Sequence, residues 1–150
     1  TMTQAPALGP SWTGAPLPPL VQTHTLLREL EFTFPLQAAD AGGAPTSFVR
    51  GVFDAVAGWG DELWIVDYKS DVLPRADHAT AARFVDERYR TQATLYGLAG
   101  LRLAARPRPQ PLRLAGLLYW FVRDHIVVPV PATAAQQHAW RSWSPTRGTP

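Results

Sequence analysis

An α+β domain with its strands and helix in the order βββαββ is the fold that the sequence predicts. Three observations carry that expectation. Apolar and polar residues alternate in the stretches before residue 70, apolar residues recur every three or four positions between residues 77 and 103, and two β-branched and aromatic runs follow residue 112. Residues 1–20 (TMTQAPALGPSWTGAPLPPL) are rich in Pro, Gly, Thr and Ala without any period, so residues 1–25 are expected to be a linker or arm. In Leu26–Leu36, Leu30, Phe32 and Phe34 fall on one face while Glu29, Glu31 and Thr33 fall on the other, the signature of a half-buried strand. Residues 39–45 predict a turn. Phe48–Ala57 and Leu63–Tyr68 predict two further strands joined through Gly58-Trp59-Gly60-Asp61-Glu62, which makes three antiparallel strands in meander order.

Beyond Pro74 the period changes. Asp77 can cap a helix on which Val85, Tyr89, Gln92, Tyr96, Ala99 and Leu103 form one stripe, read as a single long helix. It stops before ArgProArgProGlnPro (106–111), where proline withholds N–H donors and imposes extended backbone. Leu112–Val122 and Ile126–Val130 predict two strands meeting at a turn around Arg123-Asp124-His125, and residues 133–140 predict a short helix. The expected domain therefore spans residues 26–140, followed by a disordered tail over 141–150.

Composition narrows the function. With 150 residues, 46% hydrophobic and 17% charged, the chain has the make-up of one globular domain. No run of 18 or more apolar residues occurs and no signal-peptide pattern opens the chain, so a soluble, cytoplasmic protein with no membrane partner is expected. The absence of cysteine excludes disulfides, thiolate zinc, an iron–sulfur cluster and a cysteine nucleophile, leaving oxygen or imidazole as metal ligands. A formal charge of +2 is too mild to announce a nucleic-acid binder. The division of the cations is more informative: of 14 basic residues, every one except Lys69 is arginine, so Lys69 marks a place where a planar guanidinium does not serve. There is no G-x-S-x-G elbow and no glycine-rich phosphate loop, and His78, His125 and His138 stand apart from one another. The arginines at 83, 88, 90, 102, 106, 108 and 113 could track phosphates or be a solvated basic face, and the tryptophans could stack on bases or fill the core.

The chemistry-bearing stretch is Trp64-Ile65-Val66-Asp67-Tyr68-Lys69. Period two places Asp67 and Lys69 on the same strand face, and a hairpin loop of about four residues sets Asp54 opposite or diagonal to Asp67 on that face. Two neighbouring carboxylates stay ionised only with a cation between them, a job suited to Mg²⁺ or Mn²⁺. A lysine alongside can act on a water or offset charge growing on a phosphate. An Asp–Lys pair at i, i+2 is often only a solvated ion pair. Asp54 interrupting the apolar run Val52–Val56, with Glu29 or Glu31 available from the preceding strand, weighs against that reading.

Asp54, Asp67-Tyr68-Lys69 thirteen residues on, and Tyr89-x-x-Gln92-x-x-x-Tyr96 together resemble the PD-(D/E)xK nuclease superfamily, and more narrowly the RecB-type nuclease domain of bacterial helicase–nucleases. Arg28-Glu29-Leu30-Glu31-Phe32 is similar to that family's acidic first strand, Arg50–Asp54 to its metal-ligand strand and Leu117–Phe121 to a later core strand. The resemblance implies a restriction-endonuclease-like central mixed sheet and hydrolysis of DNA phosphodiesters with Mg²⁺ or Mn²⁺, as exonuclease or endonuclease, in repair or recombination. It implies Asp54, Asp67 and the backbone carbonyl of Tyr68 as metal ligands. Glu29 would complete the shell with Glu31 in reserve, Lys69 would act on the water, and Gln92, Tyr96 and Tyr89 would face the site or the DNA. It also implies a helicase portion as partner. The family's upstream helix with a Gly-x-x-x-His pattern has no counterpart before Glu29, and His24 reads as a loop residue. Weak or no cleavage by this chain alone and self-association are therefore expected, and a silent DNA-binding or protein-docking module is the alternative.

Overall fold

The computed structural model describes residues 25–36 and 47–145. The arm up to residue 24 with His24, the turn at 39–45 and the tail beyond 145 lie outside the described residues. The alternating stretches form β1 (Thr25–Leu36), β2 (Ser47–Trp59) and β3 (Glu62–Lys69), paired antiparallel as a meander. The hairpin is tighter than the sequence suggested: Trp59 pairs with Glu62, and the two-residue turn is closed by Gly60 at φ 59°, a conformation that costs glycine little.

The single long helix is corrected by the structure to two, α1 (His78–Arg88) and α2 (Arg90–Ala104), separated at Tyr89 with φ −116° and ψ 14°. No proline or glycine occurs between residues 78 and 96, so local propensity does not break it. The Tyr89 side chain is drawn into contacts with β3 and the segment after it, and its backbone leaves helical geometry to follow. The hydrogen bonds Tyr89 N to Val85 O (2.9 Å) and Ala93 N to Tyr89 O (2.8 Å) bridge the break, so the apolar stripe stays in phase. Asp77 caps α1 by accepting from Thr80 N at 2.7 Å.

The helices carry the chain back so that β4 (Arg113–Phe121) lies parallel to β3, the arrangement a helical crossover permits. β5 (Ile126–Pro131) then pairs antiparallel with β4, giving a mixed five-stranded sheet in the order β1-β2-β3-β4-β5. This α+β arrangement is consistent with the restriction-endonuclease-like fold. α3 (Ala134–Ser142) runs two residues past the expected domain end and is capped by Thr133, which accepts from Gln136 N at 3.1 Å. Its Trp140 is buried against Gly97 of α2, where any Cβ would collide with the indole ring.

One sheet face joins the helices through Phe53, Val56, Ile65, Leu117, Tyr119 and Phe121, the other gathers Ala55, Ala57, Trp64, Val66 and Leu118, and all are buried. Each large side chain removed from water contributes about 1.5–3 kcal/mol. Trp64 is therefore core, while Trp59 and Trp120 are half-buried at the rim of the second cluster. The alternation carries one paired irregularity. Leu26 packs on the second face and Leu30 on the first, an even spacing that should keep them together; Ala55 and Phe53 are divided in the same way. Both strands skip a step at one level, where Glu29 with φ 51° faces Asp54 between the pairs Arg28–Ala55 and Leu30–Phe53. Among the described residues no helix is long and apolar enough to cross a membrane.

Candidate functional site

The skipped step decides where Asp54 points. The β2–β3 ladder ends at Ala55–Val66, and one further step in the same register brings Asp54 to the level of Asp67. There the strand-to-strand bond is replaced by a side chain: Tyr68 N donates to Asp54 Oδ2 at 2.8 Å. The Asp54 carboxylate thus sits at the opening between β2 and β3. Asp67, only 5% exposed, faces the helices with Ile65 and Lys69.

Lys69 Nζ lies 2.6 Å from Asp67 Oδ2 and donates to Gln92 Oε1 at 2.9 Å. Gln92 Nε2 reaches Tyr96 Oη at 3.4 Å, and Tyr96 donates to Val52 O at 3.0 Å. The Tyr96 hydroxyl is also within reach of the Asp67 carboxylate, and its single proton can serve one acceptor at a time. The expected helix stripe therefore brings Gln92 and Tyr96 onto the Asp67–Lys69 face, and Gln92 finds its partner in the lysine.

Burial pushes the Asp67 carboxyl above the usual carboxylate range, and the neighbouring Asp54 charge pushes the same way; the Lys69 hydrogen bond and charge oppose them. Burial likewise raises the Tyr96 and Tyr119 hydroxyls, with the Asp67 charge as second cause. Tyr119 pairs with Asp67 across the β3–β4 ladder, and its buried hydroxyl has no hydrogen-bond partner among the described residues.

Tyr89 meets the site from the helix break. Its ring centroid is 3.8 Å from Lys69 Nζ, and its hydroxyl donates to Asp71 Oδ2 at 2.6 Å. The sequence reading passed over Asp71, although Asp67, Lys69 and Asp71 stand at i, i+2 and i+4, a spacing that could have found it. Asp124 was likewise read only as a turn residue; its Oδ2 accepts from Leu73 N at 3.1 Å and ties the segment after β3 to the β4–β5 turn.

Glu29 is exposed at its positive-φ position, as is Glu31 in the strand beyond it. Among the described residues no group of three or more acids or histidines gathers around one point, so the pair that the fold brings together is Asp54 and Asp67. Several of the arginines take local partners: Arg90 with Asp86, Arg113 with Glu62 and Asp61, Arg108 with Leu103 O, Arg88 over Phe84 and Arg102 over Phe34.

No curated protein matches the chain significantly. The sequence pattern of the PD-(D/E)XK nuclease superfamily matches residues 18–148, a span that takes in β1, the Asp54–Asp67–Lys69 cluster and all three helices. With nearly its whole length matched, the chain belongs to the PD-(D/E)XK nuclease superfamily.

Proposed function

We propose that the domain is a metal-dependent deoxyribonuclease module of a RecB-like helicase–nuclease or DNA repair protein. The observation that carries this reading is the buried Asp67 carboxylate, beside Asp54 and paired with the sole lysine at 2.6 Å. Oxygen donors alone, two of them carboxylates on adjacent strands, fit a hard divalent cation. Asp54, Asp67 and the Tyr68 carbonyl would hold Mg²⁺ or Mn²⁺, with Glu29 completing the shell directly or through water. Such an ion supplies a Lewis acid that makes water a better nucleophile and neutralises charge on phosphate oxygens.

The protein groups do the positioning. Gln92 holds Lys69 by its amide oxygen, and the N–H that Lys69 directs at Asp67 in the resting site would turn to the attacking water or a phosphate oxygen. Tyr96, anchored on Val52 O, walls the site on the β2 side. In-line attack on phosphorus with departure of the 3′ oxygen leaves 5′-phosphate ends, as in the RecB-type domains. A helicase portion would deliver the strand in the cytoplasm, since a charge of +2 gives the domain little grip on DNA by itself.

A cleavage assay on linear and circular DNA, with Mg²⁺ and with chelator, tests the proposal. Metal-dependent cleavage that Asp67→Ala abolishes is the expected result, and cutting confined to linear DNA would mark an exonuclease. Silence in both Mg²⁺ and Mn²⁺ together with no calorimetric binding of Mn²⁺ overturns it in favour of a DNA-binding or docking module.

A further inference from the structure

The break between α1 and α2 gives Tyr89 a place that the carboxylate site leaves unexplained. The ring is fixed on several sides. Its hydroxyl is tied to Asp71 at 2.6 Å, Tyr119 stacks on it at 5.9 Å with an interplanar angle of 16°, and Phe84 leans on it at 6.1 Å. Burial and the Asp71 carboxylate push the Tyr89 hydroxyl up to about 12, so it stays protonated and keeps donating. Lys69 Nζ stands 3.8 Å from the centroid of this ring, and 5.6 Å from that of Tyr119.

An ammonium has three N–H bonds, and three partners surround this one: Asp67 Oδ2 at 2.6 Å, Gln92 Oε1 at 2.9 Å and the Tyr89 ring. A flat guanidinium presents its donors in one plane and does not fit three partners around a point. That gives a physical reason for one lysine in a chain otherwise supplied with arginine.

We propose that Tyr89 is a positioning residue for Lys69: its ring face and Gln92 keep the ammonium beside the carboxylates whether or not Asp67 is free to pair with it. The inference rests on the nuclease reading for its kinetic consequence only; the contact itself can be read without any activity.

Because Lys69 is the sole lysine of the chain, selective ¹³C-lysine labelling gives one side-chain spin system, and its Cε protons should be shifted upfield by the ring they face. Tyr89→Phe, which loses the Asp71 bond and keeps the ring, should retain that shift and lose at most about threefold in kcat. Tyr89→Leu should abolish the shift and lower kcat by about ten- to thirtyfold with KM nearly unchanged. An upfield shift that survives Tyr89→Leu, or a Tyr89→Phe variant as slow as Tyr89→Leu, overturns the proposal. Should Tyr89→Leu fail to fold, mono-, di- and trifluorophenylalanine at position 89 keep the shape while draining charge from the ring face. A stepwise fall in kcat along that series supports the proposal, and a flat series overturns it. If wild type neither cleaves nor binds Mn²⁺, the nuclease reading fails while the labelled spectra still decide whether Tyr89 holds Lys69.

Discussion

Replacing Lys69 by methionine keeps the unbranched side chain and removes the charge, which isolates the electrostatic debt of the buried Asp67. The two side chains are 11% and 7% exposed, so solvent screens their attraction little. Breaking such a pair typically costs about 3–5 kcal/mol, because the remaining charge is left without compensation. Asp67 escapes part of this by binding a proton, since burial and Asp54 already hold its carboxyl above the ordinary value. A net loss of about 3 kcal/mol at pH 7 is therefore expected, a large fraction of a domain stability of about 5–15 kcal/mol and worth roughly 10 °C in melting temperature. The pH dependence has a definite sign. A carboxyl whose folded-state pKa is raised contributes stability that is fully present below its unfolded value and is lost as pH rises through the folded value. Without Lys69 that folded value moves higher still, so the variant should recover more stability than wild type between pH 7 and pH 5. Urea unfolding at both pH values, repeated on Lys69→Met with Asp67→Asn, measures it. A single variant as stable as wild type at pH 7, or a double variant no more stable than the single one, would refute the reasoning.

The remaining expectations concern ligand, rate and packing. Asp54→Ala with Asp67→Ala should abolish the calorimetric signature of Mn²⁺ binding; an unchanged isotherm would show that the ion is held elsewhere. Lys69→Arg should lose most of the cleavage rate while circular dichroism and Mn²⁺ affinity stay close to wild type, and wild-type cleavage would reduce Lys69 to a generic cation. Gly97→Ala should destabilise the domain by about 1–3 kcal/mol in chemical denaturation, because the added methyl meets the buried Trp140 ring; no loss would mean that α3 shifts freely.

Period-two and period-3.6 patterns made the sheet meander, the crossover segment and α3 legible in the sequence, because each side chain's environment there follows from its own strand or helix. The same patterns put Asp67 and Lys69 on one strand face and Gln92 and Tyr96 on one helix stripe, and the family resemblance turned that stripe towards the site. What they missed was non-local. The interruption at Tyr89 comes from contacts with Lys69, Asp71 and Tyr119, none of which leaves a mark on residues 78–96 themselves. The parallel pairing of β3 with β4 depends on how the crossover lands. Glu29 was assigned by unbroken alternation to the face of Glu31 and Thr33, and a left-handed residue inside a strand resets that count.

The matched slips in β1 and β2 have a consequence for how this chain tolerates changes in length. Since the two strands change phase at the same rung, their pairing is undisturbed and every residue on either side keeps its proper face. Deleting Glu29 alone would restore simple alternation in β1 but pull its later half out of step with β2; deleting Asp54 alone would do the reverse. Only a compensated double deletion preserves both packing and pairing, and it discards the acid at the β2–β3 opening. Insertions and deletions near this rung are thus coupled across two segments 25 positions apart, and a substitution that respects the backbone, Glu29→Gly, is the way to remove the Glu29 carboxylate while leaving the phase change in place.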